Sequence, residues 1–287
     1  MKTLFRVVFV LLVVSSSATA KIQSVGEFRI NTDLISGKPV IKDSMLYITA
    51  KEAVKEKEEA KDLVFVDIRN KDAYVKANIP GSLNMPVYFI KSQPFLADKT
   101  IVLVDTGHST RQLEKDCKQL LEAGRNVFIL DGGLFGLNNK NTPIRLRSLG
   151  TPDFSLVPPD SFHTEKNYDH YIIADVSKTR SNESKTLVKQ AIHLPVEISP
   201  KTSAKVLKKA RSDNKSEHKA ALIVFNENGQ YTYKIKNFFK TSGISTVFYL
   251  KNGLNGYGSF CQNLTLLSRP VNERKAYGGK ACGTCPK

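Results

Sequence analysis

Ile101-Val102-Leu103-Val104-Asp105-Thr106-Gly107-His108-Ser109-Thr110-Arg111 is the stretch from which the rest of the chain can be read. Four consecutive branched apolar residues predict a short buried strand, and a turn led by Asp, Gly and Ser follows. Leu113, Cys117, Leu120 and Leu121 then recur at helical spacing along one face. A strand that feeds a tight loop and then a helix N-terminus aims several backbone N–H groups at one place, which suits an anion. Thr106, Gly107, His108, Ser109, Thr110 and Arg111 are therefore the candidate anion-binding loop. No nucleophilic Cys stands where the strand ends; Asp105 does.

Working outward, the 287 residues are 41% hydrophobic and 24% charged, an ordinary globular balance with room for two domains. Lys2 and Arg6 precede an apolar run over 7–14, and Ala18-Thr19-Ala20 gives a small-x-small cleavage pattern. This reads as a signal peptide over 1–20, cut after Ala20, of a secreted or periplasmic protein. No later segment is long and apolar enough to span a bilayer, so no transmembrane segment is expected after cleavage. The formal charge of +16 is spread over scattered Lys residues without the aromatic–basic interleaving of nucleic-acid binders, and no nucleic-acid partner is expected.

Residues 21–46 show no clear period and read as an arm packed on the first domain. Thr49-Ala50-Lys51-Glu52 is a capping box opening a charged helix. A strand over 63–66 ending in Asp67-Ile68-Arg69, a helix over about 71–77, the stretch 78–86, the strand 101–104 with its helix, and a strand over 127–130 closed by Asp131-Gly132-Gly133 complete a domain over 47–140. Strands alternating with helices at these lengths predict an α/β fold with a mainly parallel sheet flanked by helices. A linker follows over 141–157, and the order then repeats over 158–260. Asp175 answers Asp67, Pro195 answers Pro86, the strand 221–225 answers 101–104, and Gly253 answers Gly133. Ile235 stands where Cys117 does, which makes Cys117 core filler rather than a reactive thiol. The loop Asn226-Glu227-Asn228-Gly229 reaches its apolar stripe, Tyr231, Ile235, Phe238 and Phe239, three residues sooner than the first loop does.

The order Asp67-Ile68-Arg69, then Asn78-Ile79-Pro80-Gly81-Ser82-Leu83-Asn84-Met85-Pro86, then strand and loop, then Leu130-Asp131-Gly132-Gly133-Leu134, resembles the rhodanese-like domain. The second copy resembles it less closely, through Asp175, His193-Leu194-Pro195 and Gly253. The resemblance implies two tandem domains of that fold, the second degenerate, and a sulfur-transfer reaction in which a loop Cys carries sulfane sulfur to a thiol acceptor. That reaction needs a thiolate, and the matching positions hold Asp105 and Asn226. Asn78 replaces the family's His, and its closing aromatic is Leu137 in one copy and Tyr257 in the other. The resemblance thus points to a sulfurtransferase family while leaving enzymatic activity open. It implies a pseudoenzyme acting in binding or in support of thiol and sulfur chemistry, with no cofactor and with a small anion or a sulfur-carrying protein as partner.

Asp105 admits other readings. Asp105 to Arg111 has the Cys-x5-Arg spacing of a phosphatase loop, and Val104-Asp105-Thr106-Gly107 imitates an aspartic protease motif, which needs a second carboxylate that the second copy does not offer. The simplest is an Asx-turn in which Asp105 holds its own loop. The alternative for an enzyme lies in the tail over 261–287, where Cys282-Gly283-Thr284-Cys285 is a redox or metal signature. Zinc needs two further ligands that the five His residues do not supply as a spaced pair, so no metal is expected. A disulfide closing the tail, with Cys261 as a candidate partner, and a dithiol sulfur relay both remain.

Overall fold

The computed structural model describes residues 22–25, 28–36, 40–60, 62–139, 144, 146–150, 153–214, 221–244 and 246–268. β1 (Ile22–Val25) and β2 (Phe28–Asn31) pair as an antiparallel hairpin. The first domain runs β3 (Tyr47–Ile48), α1 (Ala50–Ala60), β4 (Leu63–Asp67), α2 (Lys71–Lys76), β5 (Ala77–Asn78), β6 (Leu83–Asn84), α3 (Val87–Ile90), β7 (Thr100–Val104), α4 (Thr110–Glu122), β8 (Asn126–Leu130) and α5 (Gly133–Asn139). After β9 (Arg147–Ser148), which pairs with β5, come β10 (Leu156–Val157), α6 (Pro159–Glu165), β11 (Tyr171–Asp175), α7 (Asn182–Leu187) and β12 (Ile192–His193). The second domain ends with α8 (Pro200–Asp213), β13 (Ala221–Phe225), α9 (Tyr233–Thr241), β14 (Val247–Leu250) and α10 (Gly253–Leu267).

The two five-stranded sheets have orders β3-β8-β7-β4-β6 and β10-β14-β13-β11-β12, with every pair parallel. Matching strands occupy matching places, so the repeat seen in the sequence is a repeat of topology. Crossover helices cover both faces of such a sheet, which is why the central strands read as unbroken apolar runs. Ile101, Val102, Leu103 and Val104 are all fully buried. Alternation along the strand divides them between two cores. Ile101 and Leu103 pack with Leu113, Cys117 and Leu120 of α4. Val102 and Val104 enter a core shared with Ala221, Ile223 and Phe225 of the second sheet. Leu222 and Val224 turn instead to Ile235 and Phe239 of α9. The domains are joined through that common core.

The capping box forms: Thr49 N–H donates to Glu52 Oε2 at 2.9 Å, and Glu52 N–H to Thr49 Oγ1 at 3.2 Å. Cys117 is fully buried, its Sγ is 3.7 Å from the Val127 carbonyl oxygen, and burial pushes its thiol up to about 12.

Several expectations need correction. The arm divides between the domains: β2 lies along α10 of the second, where Asn31 N–H donates to Thr265 Oγ1 at 2.9 Å, while Lys42 and Asp43 reach Asp131 and Glu114 of the first. The cause is apolar, since Ile30 and Ile35 are buried in the common core. Leu121 is 41% exposed, and the adjoining face of α4 buries Glu114 instead, whose Oε1 accepts from Asp43 N–H and Tyr47 O–H, each at 3.0 Å. The second loop is the longer one, because Tyr231 stays outside α9 with its hydroxyl on the carbonyls of Val224 and Leu250, and Thr232 caps the helix. A strand, β10, lies at the end of the stretch read as linker. Cys261 belongs to the buried face of α10 rather than to the tail.

Candidate functional site

The loop after β7 opens at the carboxyl edge of its sheet, where ligand crevices of parallel α/β folds form. Asp105 leaves the strand with its side chain folded back into the loop. Oδ1 accepts from Gly107 N–H at 2.9 Å and Oδ2 from Ser109 N–H at 3.3 Å. Two of the N–H groups expected to hold an external anion, those of Gly107 and Ser109, therefore hold this carboxylate, as an Asx-turn does. Asp105 is 6% exposed. Burial pushes its pKa up to about 6, against the pull of the Ser109 and Gly107 N–H groups and of the Arg69 guanidinium.

The start of α5 seats the loop from behind. Leu134 N–H donates to the Asp105 carbonyl at 3.0 Å and Phe135 N–H to that of Thr106 at 2.9 Å. This close approach explains the Gly132-Gly133 pair. A Cβ on Gly133, whose φ is +50°, would lie 2.6 Å from Gly107 N and 2.7 Å from Asp105 Oδ1.

The second domain covers what remains. Glu165, at the end of α6 and fully buried, accepts from Arg111 N–H at 2.9 and 3.0 Å and from Gln112 N–H at 3.4 Å. The N-terminus of α4 is thereby occupied by a protein carboxyl group. Burial pushes Glu165 up to about 8, opposed by those same N–H groups. The Arg111 side chain turns to the Thr164 carbonyl at 3.3 Å, with Asp105 left to the loop. The Tyr171 hydroxyl lies 3.0 Å from the His108 carbonyl oxygen, to which it donates, and 2.8 Å from Thr110 Oγ1. The His108 ring stands edge-on to Phe248, and burial lowers its pKa to about 4, so it is neutral at neutral pH.

The loop after β13 repeats the frame. Leu254 N–H donates to the Asn226 carbonyl at 2.8 Å and Asn255 N–H to that of Glu227 at 2.9 Å. Asn226 closes its loop as Asp105 does: Oδ1 accepts from Gly229 N–H and Nδ2 donates to the Gln230 carbonyl, both at 2.7 Å. Here Glu227, Asn228 and Gln230 face solvent.

Among the other motif residues, the Asp67–Arg69 pair forms a fork, with Nε to Oδ1 at 2.9 Å and Nη2 to Oδ2 at 2.6 Å, and ties the carboxyl end of β4 to the Ala77 carbonyl. Asn78 spends its amide on the Tyr74 carbonyl at 2.9 Å. Leu137 is buried, and Tyr257 is buried with its hydroxyl 3.1 Å from His163 Nδ1. Cys261 is a buried free thiol, pushed up to about 11 by burial. Cys282 and Cys285 lie outside the described residues. Two residues that shape the site, Glu165 and Tyr171, escape sequence reasoning. Their partners are 54 and 63 positions away, and no local pattern marks either one.

The rhodanese-like domain family model matches residues 49–140. No curated protein matches the chain. Among solved structures, a rhodanese-related protein from Thermoplasma volcanium is similar at 17% identity, over 34% of this chain and 96% of its own, with a TM-score of 0.29. A Lactobacillus plantarum protein is similar at 27% identity over 37% of this chain and 89% of its own, with a TM-score of 0.31. A thiosulfate sulfurtransferase from Pseudomonas aeruginosa is similar at 19% identity over 75% of this chain and 42% of its own, with a TM-score of 0.30. The match begins at the capping-box Thr49 and takes in the Asp67–Arg69 fork, the closed loop and the Gly132-Gly133 seat, so it is residues 49–140 that match the rhodanese-like domain family.

Proposed function

We propose that this is an exported tandem rhodanese-like protein that has given up thiosulfate sulfurtransferase chemistry and acts by binding, in support of thiol or sulfur metabolism. One observation carries the reading: the Asp105 carboxylate fills the N–H cradle where a persulfide-bearing thiolate would sit. A carboxylate can satisfy those donors but cannot accept a sulfane sulfur, because the acceptor must be a polarisable, nucleophilic thiolate. The second copy offers an amide at the same place, held by both of its ends. Export rests on the basic, apolar and small-residue order of positions 1–20. Among the described residues no helix is long and apolar enough to cross a membrane.

The test is a thiosulfate:cyanide assay on the purified protein beside its Cys282→Ser/Cys285→Ser variant. Neither should turn over above a protein-free blank. Turnover at ordinary sulfurtransferase rates in both proteins would overturn the proposal, and turnover in the parent alone would move the chemistry to the tail. Asp105→Cys should restore only a trace, since Glu165 and Tyr171 still cover the loop and a transferring thiolate needs sub-ångström placement.

A further inference from the structure

A partly enclosed cavity of about 370 Å³ lies between the arm and the second domain, away from both loops' N–H groups. Its lining includes Ile35, Leu187, Tyr168 and Tyr171, and its charged members are Lys166, Lys189 and Asp169. The volume falls in the lower part of the range of small-molecule sites, and the lining sets apolar side chains beside polar and charged ones.

Lys166 is the feature that needs explaining. It is 3% exposed, and its Nζ donates to the carbonyl oxygen of Ile35, a neutral partner. No ion pair among the described residues includes it. Asp169, the carboxylate of the lining, accepts instead from the Lys42 backbone N–H through Oδ1 at 3.1 Å. A buried ammonium whose hydrogen-bond partner is a neutral carbonyl is costly, and burial pulls this one down to about 8, with the Cys261 thiol opposing and Arg111 adding to the shift. An anion entering the cavity supplies the missing counter-charge, and the apolar walls accept its carbon skeleton.

We propose that this cavity binds a small organic acid, its carboxylate against Lys166 and its skeleton between Ile35, Tyr168, Tyr171 and Leu187. An inorganic anion leaves the apolar walls unused, and a neutral molecule leaves Lys166 unpaired. The site is independent of the sulfurtransferase question, although Tyr171 belongs to both: it lines the cavity, and its hydroxyl holds the loop after β7.

Calorimetric titration of the purified protein with 2-naphthoate, and separately with its neutral analogue 2-naphthamide, tests this. One naphthoate per chain is expected, with the amide weaker by roughly tenfold or more, the scale of a charge-assisted hydrogen bond. Lys166→Met should weaken naphthoate by the same factor. Thr186→Trp, which fills the cavity from the side of α7 and leaves Lys166 in place, should abolish binding of both. Absence of saturable binding, equal affinity for acid and amide, or unchanged naphthoate affinity in Thr186→Trp overturns the proposal. If Lys166→Met does not fold, the amide comparison and the Thr186→Trp protein decide it.

Discussion

In the loop after β7, the residue at the strand's end is a buried carboxylate; in the loop after β13 it is a half-buried amide. Both fold back onto their own loop N–H groups, and both loops rest on a glycine-led helix start through the same two backbone hydrogen bonds. The difference lies in how the next helix is capped. Ser109, at the N-cap of α4, makes no side-chain cap, and the helix end is held by Glu165 from the other domain. α9 is capped by its own Thr232, whose oxygen accepts from Ile235 N–H at 3.4 Å. Buried backbone donors must find acceptors, and the two copies found them differently. The first loop depends on domain docking, whereas the second is closed by its own sequence.

The frame common to both loops should be the most sensitive point. Gly133→Ala and Gly253→Ala each push a Cβ into the facing loop backbone at a positive φ. Each should cost about 3 kcal/mol or more, through strain and the loss of the loop's seat. Gly124→Ala is the control: its φ is +78° but nothing lies within 4 Å of an added Cβ, so only the backbone penalty of about 1 kcal/mol applies. Urea unfolding followed by circular dichroism compares them. Equal midpoints for the three variants would remove the case for a seated loop in either copy.

The next comparison separates the copies. Asp105→Ala leaves buried donors unpaired and should cost about 2 kcal/mol, while Asn226→Ala, beside solvent that can replace the lost bonds, should cost about 1 kcal/mol or less. A larger loss at Asn226 would reverse the ranking of the two loops.

How much of this could be read from the sequence follows from the range of each interaction. The repeat was legible because strand runs, Asp67 and Asp175, and Gly133 and Gly253 are local signals at nearly constant separation. The closure by Asp105 was among the readings its loop allowed, because an Asx-turn spans two residues. Glu165 was not legible, since its partners lie on another domain. The position of the arm was hidden for the same reason: Ile30 could have served either domain until α10 was in place. Cys261 was legible and missed. Leu254, Tyr257, Gly258, Cys261 and Thr265 follow a helical stripe that runs through the point where the tail was placed.

The smallest expected effect is a pH dependence that belongs to the first loop alone. Glu165 titrates near 4.5 when free and at about 8 in the folded protein. The folded state therefore holds the extra proton between those values. Its contribution to stability is fully present below about 4.5, falls as pH rises, and is gone above about 8. Asp105 acts in the same direction but only up to about 6, while His108 and His163, lowered to about 4, act in the opposite direction below 6.5. Lys166, lowered to about 8, acts in the opposite direction as pH approaches and passes that value. Between pH 6.5 and 8, Glu165 is thus the largest contributor to the slope among the described residues, a loss on the order of 1 kcal/mol per pH unit. Glu165→Gln keeps acceptor oxygen beside the α4 N-terminus and removes the titration, so its unfolding midpoint in urea should no longer fall across that window, and should rise slightly near pH 8 as Lys166 titrates. Asn226 and Thr232 carry no ionisable group, and their alanine variants should retain the parent slope. A Glu165→Gln protein that loses stability from pH 6.5 to 8 as steeply as the parent would show that the carboxyl group joining the domains does not titrate there.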